Sequence, residues 1–336
     1  MLFRSFKGLP TVMAAKGPFP GSNKSLKRNG DAVNGWLTLD KPVGVSSAKA
    51  LAEARRIFNA RHAGHGGTLD PLASGILPVA FGEATKTISF AMAGTKTYRV
   101  IVRFGVATAT DDGEGEIVAR SDARPDTAAV KAALAHFIGR IEQMPPAYSA
   151  LKVGGQRAYR LARQGADVSL ATRTVEIKGL ILVDRPEPDC AELEVVCGKG
   201  VYIRSLARDL AQYLGTVGHV AALRRTRVGP FQENQAISLA KLKELGHSPA
   251  AFERLLPIET VLDDIPALAV TEGEAERLRH GQALAALDTG TNGSRWHPKE
   301  SNLQDGTILL TMTNGKPVAL VRLERGSVRP VRVLNL

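Results

Sequence analysis

The stretch Gly64-His65-Gly66-Gly67-Thr68-Leu69-Asp70-Pro71-Leu72-Ala73-Ser74-Gly75-Ile76-Leu77-Pro78-Val79-Ala80-Phe81 crowds three glycines, a histidine and one carboxylate ahead of a proline, then runs into an apolar segment. Gly64, Gly66 and Gly67 admit positive φ and close approach of another chain. The stretch therefore predicts a shaped loop rather than a packed helix or a central strand, with a buried strand at 76–81 behind it. Shaped loops on rigid scaffolds are where chemistry tends to sit. Asp70 followed by Pro71 also fits a helix start, with Asp as the cap and Pro in the first turn. Which role Asp70 takes depends on what converges on it.

Outward from this loop, residues 35–42 read as a short strand ending in a proline turn, and Ser46 or Ser47 caps a helix to about residue 60. Residues 83–92 read as a helix carrying Lys86. Residues 97–105 alternate Tyr98, Val100, Val102 and Phe104 against Arg99, Ile101 and Arg103, a strand with one apolar and one mixed face. A strand follows near 116–120, and Pro125-Asp126 opens an amphipathic helix at 128–137. Residues 156–164 read as a short helix bearing Arg157, Tyr159, Arg160 and Arg163. Strands are expected at 175–183 and 191–197, a helix at 205–214 ended by Gly215, and a basic strand at 223–229. Short helices at 239–245 and 251–255 precede a linker at 257–266. Thr271 then caps a helix at 272–280 that Gly281 ends, and strands fill 307–323 and 328–333.

The fold class is α+β: a mixed, largely antiparallel sheet flanked by helices, with a small C-terminal mostly-β unit. The expected divisions are a disordered basic tail at 1–33, a main domain at 34–264 and the small unit at 265–336. The tail carries Arg4, Lys7, Lys16, Lys24, Lys27 and Arg28 before its first acid, Asp31. That composition also fits a transit peptide, and Met13 offers an alternative start.

The 336 residues carry 44 Lys and Arg against 33 Asp and Glu, a formal charge of +11, which points to an anionic partner. Nucleic acid is the first candidate and an acidic membrane surface the second. The two cysteines, Cys190 and Cys197, form no Cys-x-x-Cys pair, and the seven histidines show no metal-ligand spacing. No metal is implied, a disulfide scaffold is not supported, and a reducing compartment fits. Glycine-rich nucleotide fingerprints and phosphate loops are missing, so nicotinamide, flavin and ATP chemistry lack a handle and no cofactor is expected. A glycosidase would need two paired carboxylates, and the loop offers one.

The loop resembles the catalytic motif of the TruB family of tRNA pseudouridine synthases. Further blocks follow in the family's order: Leu39-Asp40-Lys41-Pro42, Tyr98-Arg99, Thr110-Asp111-Asp112, residues 146–152, Gly200-Val201-Tyr202-Ile203-Arg204 and Leu223-Arg224-Arg225. Together they cover residues 35 to about 230. The resemblance implies the pseudouridine synthase catalytic fold and isomerisation of uridine 55 in the tRNA T-loop to pseudouridine, through a flipped-out base. It implies Asp70 as the essential carboxylate, Arg204 as its partner and Tyr98 as the ring that stacks on the base. Lys41, His65, Tyr202 and Leu223 match residues lining the substrate pocket, and Asp112 lies in a matching block.

The segment near 143–173 resembles an RNA-clasping insertion in which Lys152, Arg157, Arg160, Arg163 and Arg173 meet phosphates. It favours a stand-alone enzyme over a guide-RNA-dependent one. The resemblance further implies the tRNA T-arm as partner, no guide RNA or protein partner, no membrane, a monomer, a cytoplasmic location and a PUA-like C-terminal domain. Two departures stand out: Ala109 where the family often has Asp, and Gly66 where it often has Thr.

Overall fold

Residues 35–41 are strand-forming because Trp36, Leu37 and Leu39 can all be buried if both faces of the strand are covered. The computed structural model of the chain, which describes residues 30–149, 151–153, 155–157, 170–285 and 303–336, buries all three completely. Strands β1 (Gly35–Lys41), β2 (Ala63–His65), β3 (Ala73–Phe81), β4 (Lys96–Phe104), β5 (Val106–Thr108), β6 (Ile117–Arg120) and β7 (Gly139–Gln143) make up the first half. The second half adds β8 (Lys152–Val153), β9 (Gln156–Arg157), β10 (Arg173–Asp184), β11 (Cys190–Cys197), β12 (Gly218–Val228), β13 (Phe231–Gln232) and β14 (Ile237–Ser238).

Ten of these form one sheet in the order β14-β1-β3-β12-β4-β11-β10-β7, with β2 added to β3 and β13 to β12. Its β1–β14 and β3–β12 contacts are parallel and the others antiparallel. The mixed, largely antiparallel α+β architecture expected from the pattern is the one observed.

Alternation along β1 divides the core. Leu37 and Leu39 join Ala54 of helix Ser47–Ile57 and Phe58 at its C-terminal cap; Ser46 caps the first turn by accepting from the Lys49 amide. Trp36 faces the other way, toward Ile76, Phe231, Leu310, Leu320 and Leu334. A third cluster gathers β4, β11 and β12 with helices Thr127–Leu134 and Ile203–Tyr213.

The C-terminal unit is a five-stranded sheet, β15 (Ala267–Ala269), β16 (Leu284–Ala285), β17 (Ile308–Thr313), β18 (Lys316–Glu324) and β19 (Ser327–Val333), in the order β15-β17-β18-β19-β16. Helix Glu272–Arg279 opens on Thr271 in a capping box. This unit is not tethered by a free linker. Ile258 and Leu262, inside the expected linker, are buried in the cluster that Leu310, Leu320 and Leu334 share with Trp36. Lys86 donates to the Val333 carbonyl at 2.8 Å, and Glu83 accepts from the Asn335 amide at 2.7 Å.

Other expectations are corrected. The strand after the loop begins at Ala73 rather than Ile76, and Ala63–His65 pairs with it, so the loop proper is residues 66–72. No helix follows Pro71. The Asp70 carbonyl instead accepts from the Ala73 amide at 3.1 Å in a turn. The expected helix at 83–92 is a 3-10 turn, Gly82–Thr87, followed by a short helix, Ile88–Ala93.

Gln156–Arg157 is a strand paired with Lys152–Val153, because the glycine pair between them suits a hairpin turn and Gly155 takes φ +84°. The tail to residue 29 and residues 158–169 of the expected clasp, with Tyr159, Arg160 and Arg163, lie outside the described residues. The side chains of Lys152 and Arg157 do too.

Candidate active site

The loop at 66–72 is held from below by groups that its own sequence does not supply. Ser47 donates to the Leu69 carbonyl and accepts from the Leu69 amide, both at 2.8 Å, which sinks Leu69 into the core. The Gly44 amide donates to the Pro71 carbonyl at 2.8 Å. β3 and β12 run so close that a Cβ on Gly75 would stand 2.2 Å from the Arg225 carbonyl, and Gly75 takes φ +101°. Only glycine fits there. These contacts leave Asp70 at the surface of the loop with its carboxylate partly exposed.

Its partner comes from the far side of the sequence. Helix Ile203–Tyr213 starts two residues earlier than its apolar pattern suggests, so Arg204 sits in the first turn. Gln143 clamps that start, donating to the Tyr202 carbonyl at 3.1 Å and accepting from the Tyr202 amide at 2.8 Å. Arg204 reaches Asp70 at 3.0 Å and Asp112 at 3.5 Å, and donates to the Thr110 and Tyr148 carbonyls at 2.8 and 2.9 Å. Asp112, itself buried, is steadied by the Thr110 hydroxyl and the Glu114 amide. Asp111 takes Arg208, one helical turn beyond Arg204, at 2.9 Å. Burial pushes the Asp111 carboxyl above its ordinary range against the pull of Arg208 and Arg204. Two adjacent acids thus grip two arginines on one helical face.

Asp70, Tyr98, Tyr202, Arg204 and Leu223 meet in the lining of one cavity of about 300 Å³, within the range of small-molecule sites. Burial raises the Tyr98 phenol, while Arg225, hydrogen-bonded to its hydroxyl, pulls the other way. Burial likewise raises Tyr202.

Three expected pocket residues stand elsewhere. Lys41 is wholly buried behind the loop, donating to the Pro42 and Val45 carbonyls at 2.9 and 2.7 Å and reaching that of Pro71 at 3.5 Å. It thus braces backbone rather than lining the cavity, and desolvation lowers its pKa to about 8. His65 lies on β2, one residue before the loop, outside the lining, with Nδ1 buried and lowered by desolvation and by Arg225. Asp112 acts on Arg204 rather than on the cavity.

The lining contains cations that sequence reasoning did not single out for the pocket: Lys96 and Arg225, both buried, and Lys199, exposed with Arg173 at the mouth. Alternation held the signal. Lys96 shares a strand face with Tyr98, and Arg225 with the buried Leu223. Among the described residues only Glu187, Asp189 and Cys190 cluster as metal ligands would, away from this cavity, and Asp189 is engaged by Arg103 at 3.1 Å.

Residues 55–203 match the profile described as TruB family pseudouridylate synthase, N-terminal domain, and residues 204–263 match the tRNA pseudouridylate synthase B C-terminal domain. A protein named tRNA pseudouridine synthase B from Rhodospirillum rubrum is 50% identical over 312 residues, covering 93% of this chain and 100% of its own. One of the same name from Caulobacter vibrioides is 49% identical, covering 92% and 99%.

Among solved structures, a chain of a Cbf5-Nop10-Gar1 complex superposes with a TM-score of 0.67 at 25% identity, covering 90% of this chain and 85% of its own. A chain from an H/ACA RNP bound to a substrate RNA containing 2'-deoxyuridine gives 0.68 at 22%, covering 94% and 93%, a likeness of fold alone.

Proposed function

This chain belongs to the TruB family of pseudouridylate synthases, and we propose that it isomerises uridine 55 in the T-loop of tRNA through Asp70. The observation that carries the proposal is the Asp70–Arg204 contact of 3.0 Å in the lining of a cavity that also holds Tyr98, Tyr202 and Leu223. A pure RNA binder has no use for a carboxylate there, because an anion beside phosphates weakens binding.

The reaction breaks C1′–N1, turns the uracil and joins C5 to C1′, with the C5 hydrogen lost and a proton taken up at N1. Composition is unchanged. The target base leaves its stack to enter the cavity, where Tyr98 and Tyr202 offer aromatic faces and Leu223 an apolar wall. Arg204 aims the carboxylate, and Asp112 aims Arg204. Asp70 attacks C1′, attacks uracil C6 or takes a sugar proton; each role needs it ionised and fixed, which the guanidinium provides. Arg173 and Lys199 at the mouth are placed for the phosphates flanking the flipped nucleotide, with Lys152 and Arg157 on the neighbouring hairpin.

Residues 34–264 form the catalytic unit in this proposal, and residues 265–336 an RNA-binding, PUA-like unit docked on it. The enzyme works on the tRNA T-arm as a cytoplasmic monomer without guide RNA or protein partner.

The test is release of the C5 hydrogen from a T-arm transcript by the purified chain alone. Wild type should turn over, Asp70→Asn should lose at least about 10³-fold, and a transcript with cytidine at position 55 should release nothing. Full activity in the variant, or release from the cytidine transcript, overturns the assignment.

A further inference from the structure

Lys96 and Arg225 are buried, line the same cavity as Asp70, and have no carboxylate partner among the described residues. Lys96 donates to the Met92 carbonyl and, at 2.6 Å, to that of Gly94. Arg225 donates from Nε to the Ile76 carbonyl at 2.8 Å and from Nη2 to the Gly67 carbonyl at 3.0 Å, and it bonds the Tyr98 hydroxyl. The acidic group facing Lys96 across the sheet is the Cys197 thiol, which burial pushes up to about 12, so it supplies no countercharge. Register places Arg225 directly opposite Tyr98, and Lys96 precedes Tyr98 by two residues on the same strand face.

Two cations are thus taken out of water with only neutral acceptors around them, an arrangement costly enough to need a reason. Neither is fully engaged. An ammonium has three donors and a guanidinium five. Lys96 keeps one unassigned donor and Arg225 two, next to the ring expected to stack on the base.

The chemistry supplies the reason. When C1′–N1 breaks, the bonding pair stays on N1 and spreads over O2 and O4 of the uracil, while C1′ is taken up by the Asp70 carboxylate or loses its neighbouring C2′ proton to it. If Asp70 instead adds to C6, the displaced pair moves to C5 and O4. Every route puts one negative charge on the ring, discharged when C5 rejoins C1′; the C5 hydrogen then leaves as a proton while N1 takes one up.

Resting on the function proposed above, we propose that Lys96 and Arg225 form a preorganised cationic floor that stabilises the anionic uracil while it is detached and turned. Charge fixed in advance in a water-poor site is the most effective way to stabilise charge that appears only in the transition state. A pair of spread donors also suits a ring that must rotate, since O2 and O4 exchange positions without leaving the field.

The test measures single-turnover cleavage and tRNA affinity for wild type, Lys96→Met and Arg225→Gln, on uridine and on 5-fluorouridine at the target position. Fluorine acidifies the leaving uracil, so cleavage of that substrate depends less on the floor. The expected result is a rate loss of about 10²-fold per variant on uridine, at unchanged affinity, shrinking at least tenfold on 5-fluorouridine. Lys96→Met keeps the length of the side chain and carries the test if Arg225→Gln fails to fold. Equal losses on both substrates, a loss confined to affinity, or no loss in Lys96→Met overturns the floor while leaving Asp70 in place. A wild type that forms no pseudouridine overturns the function beneath it, and the floor with it.

Discussion

Arg204 and Arg225 line one cavity, each at most 5% exposed, and are held in contrasting ways. Arg204 is enclosed by Asp70, Asp112 and two carbonyls, with a further ion pair, Asp111–Arg208, beside it. Among the described residues, Arg225, and Lys96 near it, see only carbonyls and a phenol. The first arrangement places a carboxylate; the second keeps positive charge available. A buried ion pair in apolar surroundings specifies geometry at little net gain in stability. A buried cation without its anion is a poor structural element, and it makes sense where a transient anion is to be met.

Arg204→Met should have the largest effect. It leaves Asp112 buried without its cation, for a destabilisation of about 3–5 kcal/mol, and releases Asp70 from its aim. Denaturant titration and single-turnover assay should show both losses, with turnover near that of Asp70→Asn. Turnover close to wild type would mean that the ion pair is not what positions the carboxylate.

Asp112→Asn is a finer cut, because shape is preserved and one charge removed. A rate loss of about 10²-fold at unchanged tRNA affinity is expected from a misplaced catalytic group.

Lys41 offers a control for Lys96, being bound by carbonyls in the same way but lying outside the lining of the Asp70 cavity. Its pKa falls from 10.5 to about 8 on folding. Below about pH 8 both states carry the proton; between about 8 and 10.5 the folded state has released a proton that the unfolded state keeps. Stability contributed by Lys41 therefore rises with pH across that window. Measured against Lys41→Met, wild type should gain up to about 3 kcal/mol from the bottom of the window to its top. A difference that stays flat would show that Lys41 pays no desolvation cost.

Much of the fold was legible because it rests on local rules. Ser46, Asp126 and Thr271 each cap the helix expected after them. The alternation at 97–105 marked a strand that is β4, and the strands expected at 175–183 and 191–197 are β10 and β11. β7 escaped because Gly139–Gln143 pairs only at a sheet edge and carries no apolar alternation of its own. Of the helix expected at 156–164 only Gln156 and Arg157 are among the described residues, and these two lie in a hairpin that the glycine pair favours. Asp70, Tyr98 and Arg204 were found through the resemblance of whole blocks. Lys96 and Arg225 were visible as residues but not as buried ones, since a basic residue on a strand is ordinarily exposed.

The amino-acid sequence by itself determined where the chain must turn, which helices have starts, and that one aspartate stands in a glycine-rich loop, since each follows from neighbours a few residues apart. That this loop lies against the first turn of a helix far along the chain comes from tertiary packing. Packing alone set the parallel β3–β12 contact that draws Gly75 onto Arg225, and left two cations buried beside Tyr98 without a carboxylate partner among the described residues. These depend on register and on which faces the sheet covers, and a one-residue slip in pairing would turn every one of those side chains to the other side.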